Sequence, residues 1–184
     1  FWELSTFAKT KKISCEILIK QAYQKGFLED KNNFLLGKFI KHFKHKEEYK
    51  SQLFQDIFAS FIIGEKFEKT FLEFGATNGL DLSNSYFLEN NLNWKGALSE
   101  PSPQWHKDLK KNRVNSTIIT KCVWKKSNEK LDFFVSDIGA YSTIESYIDN
   151  DFESMPNNTI ARKKSGKFVK VESISLNDLI KDYF

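Results

Sequence analysis

The sequence predicts an α/β fold, a parallel sheet preceded by a helical segment. From Thr70 onward, short apolar runs alternate with polar, helix-starting stretches. Before that point, apolar residues recur at three- and four-residue spacing instead, one face of a helix. A third observation is the loop between the first two apolar runs, "FGATNGLDLSN", with two glycines four apart.

In order along the chain, Cys15, Leu18, Ile19, Ala22 and Tyr23 predict a first helix that Gly26 stops. Leu36, Phe39, Ile40 and Phe43 predict a second. Phe54, Ile57, Phe58, Phe61 and Ile62 predict a third, with Ser51 as its cap and Gly64 as its end. The lysine-rich "KHFKHKEEYK" between them is a solvated link, and residues 1–50 form the N-terminal helical segment. The α/β domain is expected over 51–184. "TFLEFG" is its first strand, Ser83 to Leu92 a helix, and "KGALSE" the second strand. "SPQWHKDLKKN" is a helix with Ser102 as N-cap, Pro103 at its first position, and Trp105 and Leu109 on its buried side. "STIITKCVW" is a third strand, and this βαβαβ run implies parallel pairing. "KLDFFVSD" and "KFVKVESI" are further strands, joined by a long polar connection, and "SLNDLIKDYF" is a helix that Ser175 and Asp178 cap.

Composition narrows the function classes. At 184 residues the chain can bury a sizeable core, and its 18 phenylalanines should dominate that core. The net charge of +4 is small, and 28 basic residues are interspersed with 24 acidic ones. That pattern is a mixed solvated surface and argues against a nucleic-acid binder. No apolar run approaches the length of a membrane span. Cys15 and Cys122 make neither a disulfide framework nor a zinc pattern, which predicts a reducing, cytoplasmic compartment. The chain opens on Phe1, so its natural start, with any targeting segment, is expected upstream. His42 and His45 lie among lysines and read as a solvated face, so no metal site is predicted.

The glycine loop carries the chemistry. Dinucleotide sites place G-x-G-x-x-G between strand and helix, so that a pyrophosphate can approach the backbone. Here the pattern is E-x-G-x-x-x-G, from Glu73 through Gly75 to Gly79. An acid inside the strand suits a ligand with positive charge and would repel a phosphate. Glu100 follows 27 residues later, at the end of the second strand, where a carboxylate can accept from a ribose diol. One acid for a cationic amino-acid end and one for a ribose together describe S-adenosylmethionine. The plainer alternative is that Glu73 caps a neighbouring helix and Glu100 is an exposed acid.

The same residues resemble a known family. "SQLFQD" is similar to the S-Q-x-x-Q-D element of FkbM-type methyltransferases, a branch of the class I S-adenosylmethionine-dependent enzymes. "SNSYFLE" and "WKGALSEP" match that family's next two elements, and the likeness runs through "KCVW" and "STIESYID" to "VESISLNDLI". It covers about 130 of the 184 residues. The resemblance implies a Rossmann-like fold, the N-terminal half of a seven-stranded methyltransferase sheet. It implies that Glu73, Gly75, Ala76, Asn78, Gly79, Ser83, Asn84, Glu100, Pro101, Cys122 and Val123 surround S-adenosylmethionine. The family commonly has Asp where this chain has Asn78, and it continues after "SLNDLI" into a fourth core strand with a D-x-E-G element. The chain is therefore expected to be truncated before that strand. The edge of the first strand is then expected to be covered by the missing half or by a partner chain.

The resemblance further implies O-methylation of a small-molecule or glycan acceptor, a hydroxyl of a sugar or secondary metabolite. The catalytic group is unassigned, with Gln55, Asp56 and Asn84 as candidates. His106 is expected on an exposed helix face, and Arg162 in a basic loop surface able to steer an anionic glycan. Two readings from other classes stand beside this one: a non-catalytic Rossmann-like module in a larger assembly, and a nucleotide or dinucleotide binder.

Overall fold

In the computed structural model the described residues are 48–53, 55–63, 69–150 and 156–184. The two helices expected around Cys15–Tyr23 and Leu36–Phe43 lie outside them, as do His42, His45, Phe54 and Gly64. The chain divides into two compact units. The described part of the first is 48–53, 55–63 and 82–92, and that of the second is 69–81, 93–150 and 156–184.

The first unit holds helix α1, Gln55–Ile63, and helix α2, Tyr86–Asn90. Of the apolar face expected on α1, Ile57 is buried while Phe58 and Ile62 are exposed. Ser51 does not act as the expected cap: its hydroxyl donates to Asp56 Oδ1 at 2.6 Å, and Asp56 accepts from the Ile57 N–H. Tyr49 packs on Phe87 with ring centroids 4.0 Å apart. Helix α2 is shorter than expected, because Ser83 turns the chain with its own hydroxyl first: Oγ accepts from Ser85 and Tyr86 N–H groups.

The second unit contains two sheets. In the first, β1 (Thr70–Phe74), β2 (Lys95–Ser99) and β3 (Thr117–Ile119) run parallel in the order β1-β2-β3. Helix α3, His106–Asn112, follows a 3-10 turn over Pro103–Trp105. Both faces of this sheet are packed, which is why its strands read as apolar runs rather than as alternation. Phe71, Leu98 and Ile118 meet Ala76 and Leu109 of α3 on one face. Leu72, Ala97 and Ile119 meet Ile174 and Leu179 on the other. Among the described residues, β2 is the one strand paired with β1.

The second sheet is mixed, in the order β4-β7-β5-β6, from β4 (Cys122–Trp124), β5 (Lys130–Ser136), β6 (Thr143–Ile144) and β7 (Gly166–Ser175). β4 runs parallel to β7, and β5 antiparallel to both β7 and β6. Its core face holds Cys122, Phe133, Val135 and Val171. Phe134 packs edge-on against Phe168, and Lys170 pairs with Asp132 at 2.6 Å.

Three local expectations change here. "STIITKCVW" is not one strand, because it breaks at Thr120 and Lys121: the Ser99 hydroxyl donates to the Lys121 carbonyl at 2.7 Å, and β4 leaves to pair with β7. Ser102 does not cap the turn that follows it, since its hydroxyl is buried with no partner among the described residues. The long connection carries order of its own, in β6 and helix α4, Pro156–Lys164. Helix α5, Leu176–Tyr183, starts as expected, with the Ser175 hydroxyl accepting from the Asp178 N–H at 3.1 Å. No helix among the described residues is long and apolar enough to cross a membrane.

The β1–β2 register has a direct check. Gly96 lies opposite Phe71, and a Cβ built on it would stand 2.4 Å from the Phe71 carbonyl oxygen and 2.5 Å from its ring. Gly96→Ala should destabilise the chain by about 1–3 kcal/mol, as overpacking does. It should lower the urea midpoint with the slope unchanged. An unmoved midpoint would mean that these strands pair differently.

Candidate functional site

At the end of β1 the chain turns sharply into the loop. Gly75 has φ +64°, Thr77 +47° and Gly79 +75°, left-handed values that glycine adopts without strain. The tip of β2 holds this loop. The Ser99 carbonyl accepts from the Gly75 N–H at 2.8 Å. Glu100 Oε2 accepts from the Thr77 N–H at 2.8 Å, and Glu100 Oε1 from the Ser102 N–H at 2.8 Å. The acid expected to stand at the strand tip thus faces the glycine loop, 3% exposed. Burial raises its pKa, and the two backbone donors and His106 offset part of that rise. His106 is half-buried rather than exposed: Nε2 lies 2.8 Å from the Glu100 carbonyl oxygen, which can only accept, so Nε2 carries a proton.

The two glycines do different work. A Cβ added to Gly75 would meet nothing within 4 Å, so the loop is open there. A Cβ added to Gly79 would stand 2.6 Å from Arg113 Cγ and 2.6 Å from Leu109 Cδ1. Gly79 is therefore a packing glycine, seated on α3. Ala76, 2% exposed, belongs to the same core.

Glu73 is buried on the α3 side of β1, with Arg113 Nη1 3.6 Å from its Oε2. The cation that this strand acid calls for is thus supplied by the chain itself. Asn78 is turned into the loop: Oδ1 accepts from the Leu80 and Asp81 N–H groups, and Nδ2 donates to Asp81 at 2.7 Å. Pro101 is half-buried beside Glu100. Cys122 is buried in the second sheet, and Val123 packs against the first-sheet core. Glu73, Gly75, Ala76, Asn78, Gly79, Glu100, Pro101, Cys122 and Val123 all lie in the second unit. Gln55, Asp56, Ser83 and Asn84 lie in the first. There Asp56 is buried, with its pKa raised by burial and held back by hydrogen bonds from Ser51 and Ile57.

Some features had no signal in the sequence. A cavity of about 580 Å³ opens beside the turn after Glu100. Pro103, Gln104, Val135 and Val169 line it, and Asp137, Ser165 and Lys167 add polar groups. These residues come from distant stretches, and no candidate site residue is among them. Arg162, expected on a basic surface, is instead buried and donates to the Tyr141 and Ile148 carbonyls at 2.6 and 2.5 Å. Among the described residues, no group of three or more His, Cys, Asp and Glu side chains could hold a metal ion.

Two measurements follow from these environments. Burial first, and the Glu100 charge second, push the Cys122 thiol up to about 11. At pH near 7.5 fewer than about one thiol in a thousand is then ionised. Cys122 should resist iodoacetamide until denaturant is added, read by peptide mass mapping; rapid native labelling would contradict its burial. The Glu100 carboxyl, raised above its usual 4.5, binds its proton more tightly when folded. Its contribution to stability is full below that unfolded value and is lost as pH rises through the folded one. The stability of wild type relative to Glu100→Gln should therefore fall as pH rises above 4.5. A difference that stays flat with pH would place this carboxyl in solvent.

No protein-family model, no curated protein and no solved structure matches this chain.

Proposed function

We propose that the chain is the Rossmann-like domain of an S-adenosylmethionine-dependent methyltransferase of FkbM type, acting on a hydroxyl of a sugar or secondary metabolite. The observation that supports this best is the pairing of Glu100 with the glycine loop at the tip of the central strand of the parallel sheet. Open α/β sheets bind nucleotide-like ligands outside the carboxyl ends of their strands.

The residues present fit such a cofactor. A carboxylate offers about four acceptor positions, and backbone donors occupy two of those on Glu100, leaving others for a ribose diol. Gly75 leaves open space beside the loop. Two residues beyond Glu100, the buried Ser102 hydroxyl has no partner among the described residues. When bound, the cofactor supplies an electrophilic methyl group on a sulfonium centre. The chain's part is to hold and orient: Glu100 takes the ribose, and the Gly75–Gly79 backbone lets the ligand approach closely. Glu73 adds negative charge for a cationic amino-acid end, tempered by Arg113. Such positioning supplies much of the rate for an in-line transfer.

One observation favours a rival. Both Glu100 oxygens already hold backbone N–H groups, so the acid can be a structural clamp in a non-catalytic module. Calorimetry separates the two. The chain should bind S-adenosylhomocysteine and ignore NAD. Glu100→Ala should weaken that binding by about 1–3 kcal/mol, the loss of a charged partner. Gly75→Val should abolish it, because a branched side chain fills the open space at a left-handed backbone position. No heat with S-adenosylhomocysteine for the wild type would favour the structural module.

A further inference from the structure

We propose that Arg113 is the positioning residue of the glycine loop, fixing its far end to helix α3 and to the strand acid Glu73. Arg113 lies just past the end of α3 with its side chain 0% exposed. Its Nη1 donates to the Gly79 carbonyl at 3.3 Å and stands 3.6 Å from Glu73 Oε2. Its guanidinium lies 5.4 Å from the Phe71 ring centre. Its aliphatic stem fills the space that Gly79 leaves by lacking a Cβ. The preceding residue acts in the same direction, because Asn112 Nδ2 donates to the Asn78 carbonyl at 2.9 Å. The last turn of α3 thus grips two consecutive loop carbonyls.

Stability alone does not explain an arginine here. A buried ion pair is weak evidence for stability, since well-packed apolar residues of similar volume often do as well or better. What an apolar side chain cannot do is donate to a carbonyl and face a carboxylate, and here the one Nη1 does both. Lysine lacks the planar group that lies over the Phe71 ring and holds that nitrogen in place. The loop is therefore held at four points: Gly75 by the Ser99 carbonyl, Thr77 by Glu100, Asn78 by Asn112, and Gly79 by Arg113. The first two belong to the strand tips, whereas the last two tie the loop to the end of a helix. A ligand that needs the open face at Gly75 needs the far end of the loop held as well. Arg113 also balances the charge of the buried Glu73 in β1.

The test has one arm without ligand and one with it, and the second rests on the methyltransferase reading. In the first, hydrogen exchange reads the amides of Thr77 and Gly79 against those of Ala97 and Leu98 in β2. Arg113→Met should speed the loop amides at least about tenfold while the β2 amides stay protected, and Arg113→Lys should fall between it and wild type. The double variant Glu73→Gln/Arg113→Met removes the uncompensated charge, so its urea midpoint should recover while its loop amides remain fast. In the second arm, S-adenosylhomocysteine affinity should drop at least about tenfold in Arg113→Met and in the double variant. Unchanged loop exchange in Arg113→Met, or wild-type exchange in the double variant, would overturn the proposal and leave Arg113 as charge balance only. Should Arg113→Met fail to fold, Arg113→Lys and the double variant carry the same comparison. A wild type that does not bind S-adenosylhomocysteine would remove the methyltransferase reading, while the exchange arm would still decide the role of Arg113.

Discussion

The second unit turns on one carboxylate. Glu100 leaves β2 and accepts two backbone N–H groups, from Thr77 in the glycine loop and from Ser102 in its own turn. Those bonds fix the end of one strand to the end of the next at the point where the sheet opens. Burial raises the cost of keeping the acid charged, and the two donors offset part of it. Without the carboxylate, two inward-facing N–H groups would lose their acceptor, and an unsatisfied buried donor costs about 1–3 kcal/mol. The left-handed turn at Gly75 and Thr77 is thus held from across the sheet as well as by its local geometry.

The rest of the site is arranged around that clamp. Helix α3 sits on one face of the parallel sheet through Leu109 and sends Arg113 beneath the loop. Leu179 of α5 and Ile174 close the other face. Ile174 belongs to β7, so the mixed sheet contributes to the core of the parallel one. The loop therefore rests on an α3-side core, and the Gly75 side remains open.

Much of this arrangement was legible in the residues. The short apolar runs marked β1, β2 and β5, because strands packed on both faces carry no polar alternation. The spacing of Gly75 and Gly79 marked the loop, since left-handed turns select glycine. What stayed hidden depends on tertiary partners. Arg113 follows "KDLKK" and reads as one more solvated base; only the fold puts Glu73 and the Gly79 carbonyl next to it. Ser102 before Pro103 has the sequence of an N-cap, yet Glu100 takes its N–H and its hydroxyl is left buried. Arg162 sits among lysines, but the carbonyls of Tyr141 and Ile148 draw it inward. The break between β3 and β4 was equally hidden, because β-branched residues flank it and the reason for it lies in Ser99 and β7.

The loop clamped by Glu100 is the proposed binding surface for a nucleoside-bearing ligand. The most direct measurement is a nitrogen-15 amide titration of the chain with S-adenosylhomocysteine. The amides of Gly75, Ala76, Thr77 and Ser102 should move together and saturate with one affinity, while those of β5 and β7 stay in place. No movement at the loop, or movement confined to the cavity between Gln104 and Lys167, would contradict it.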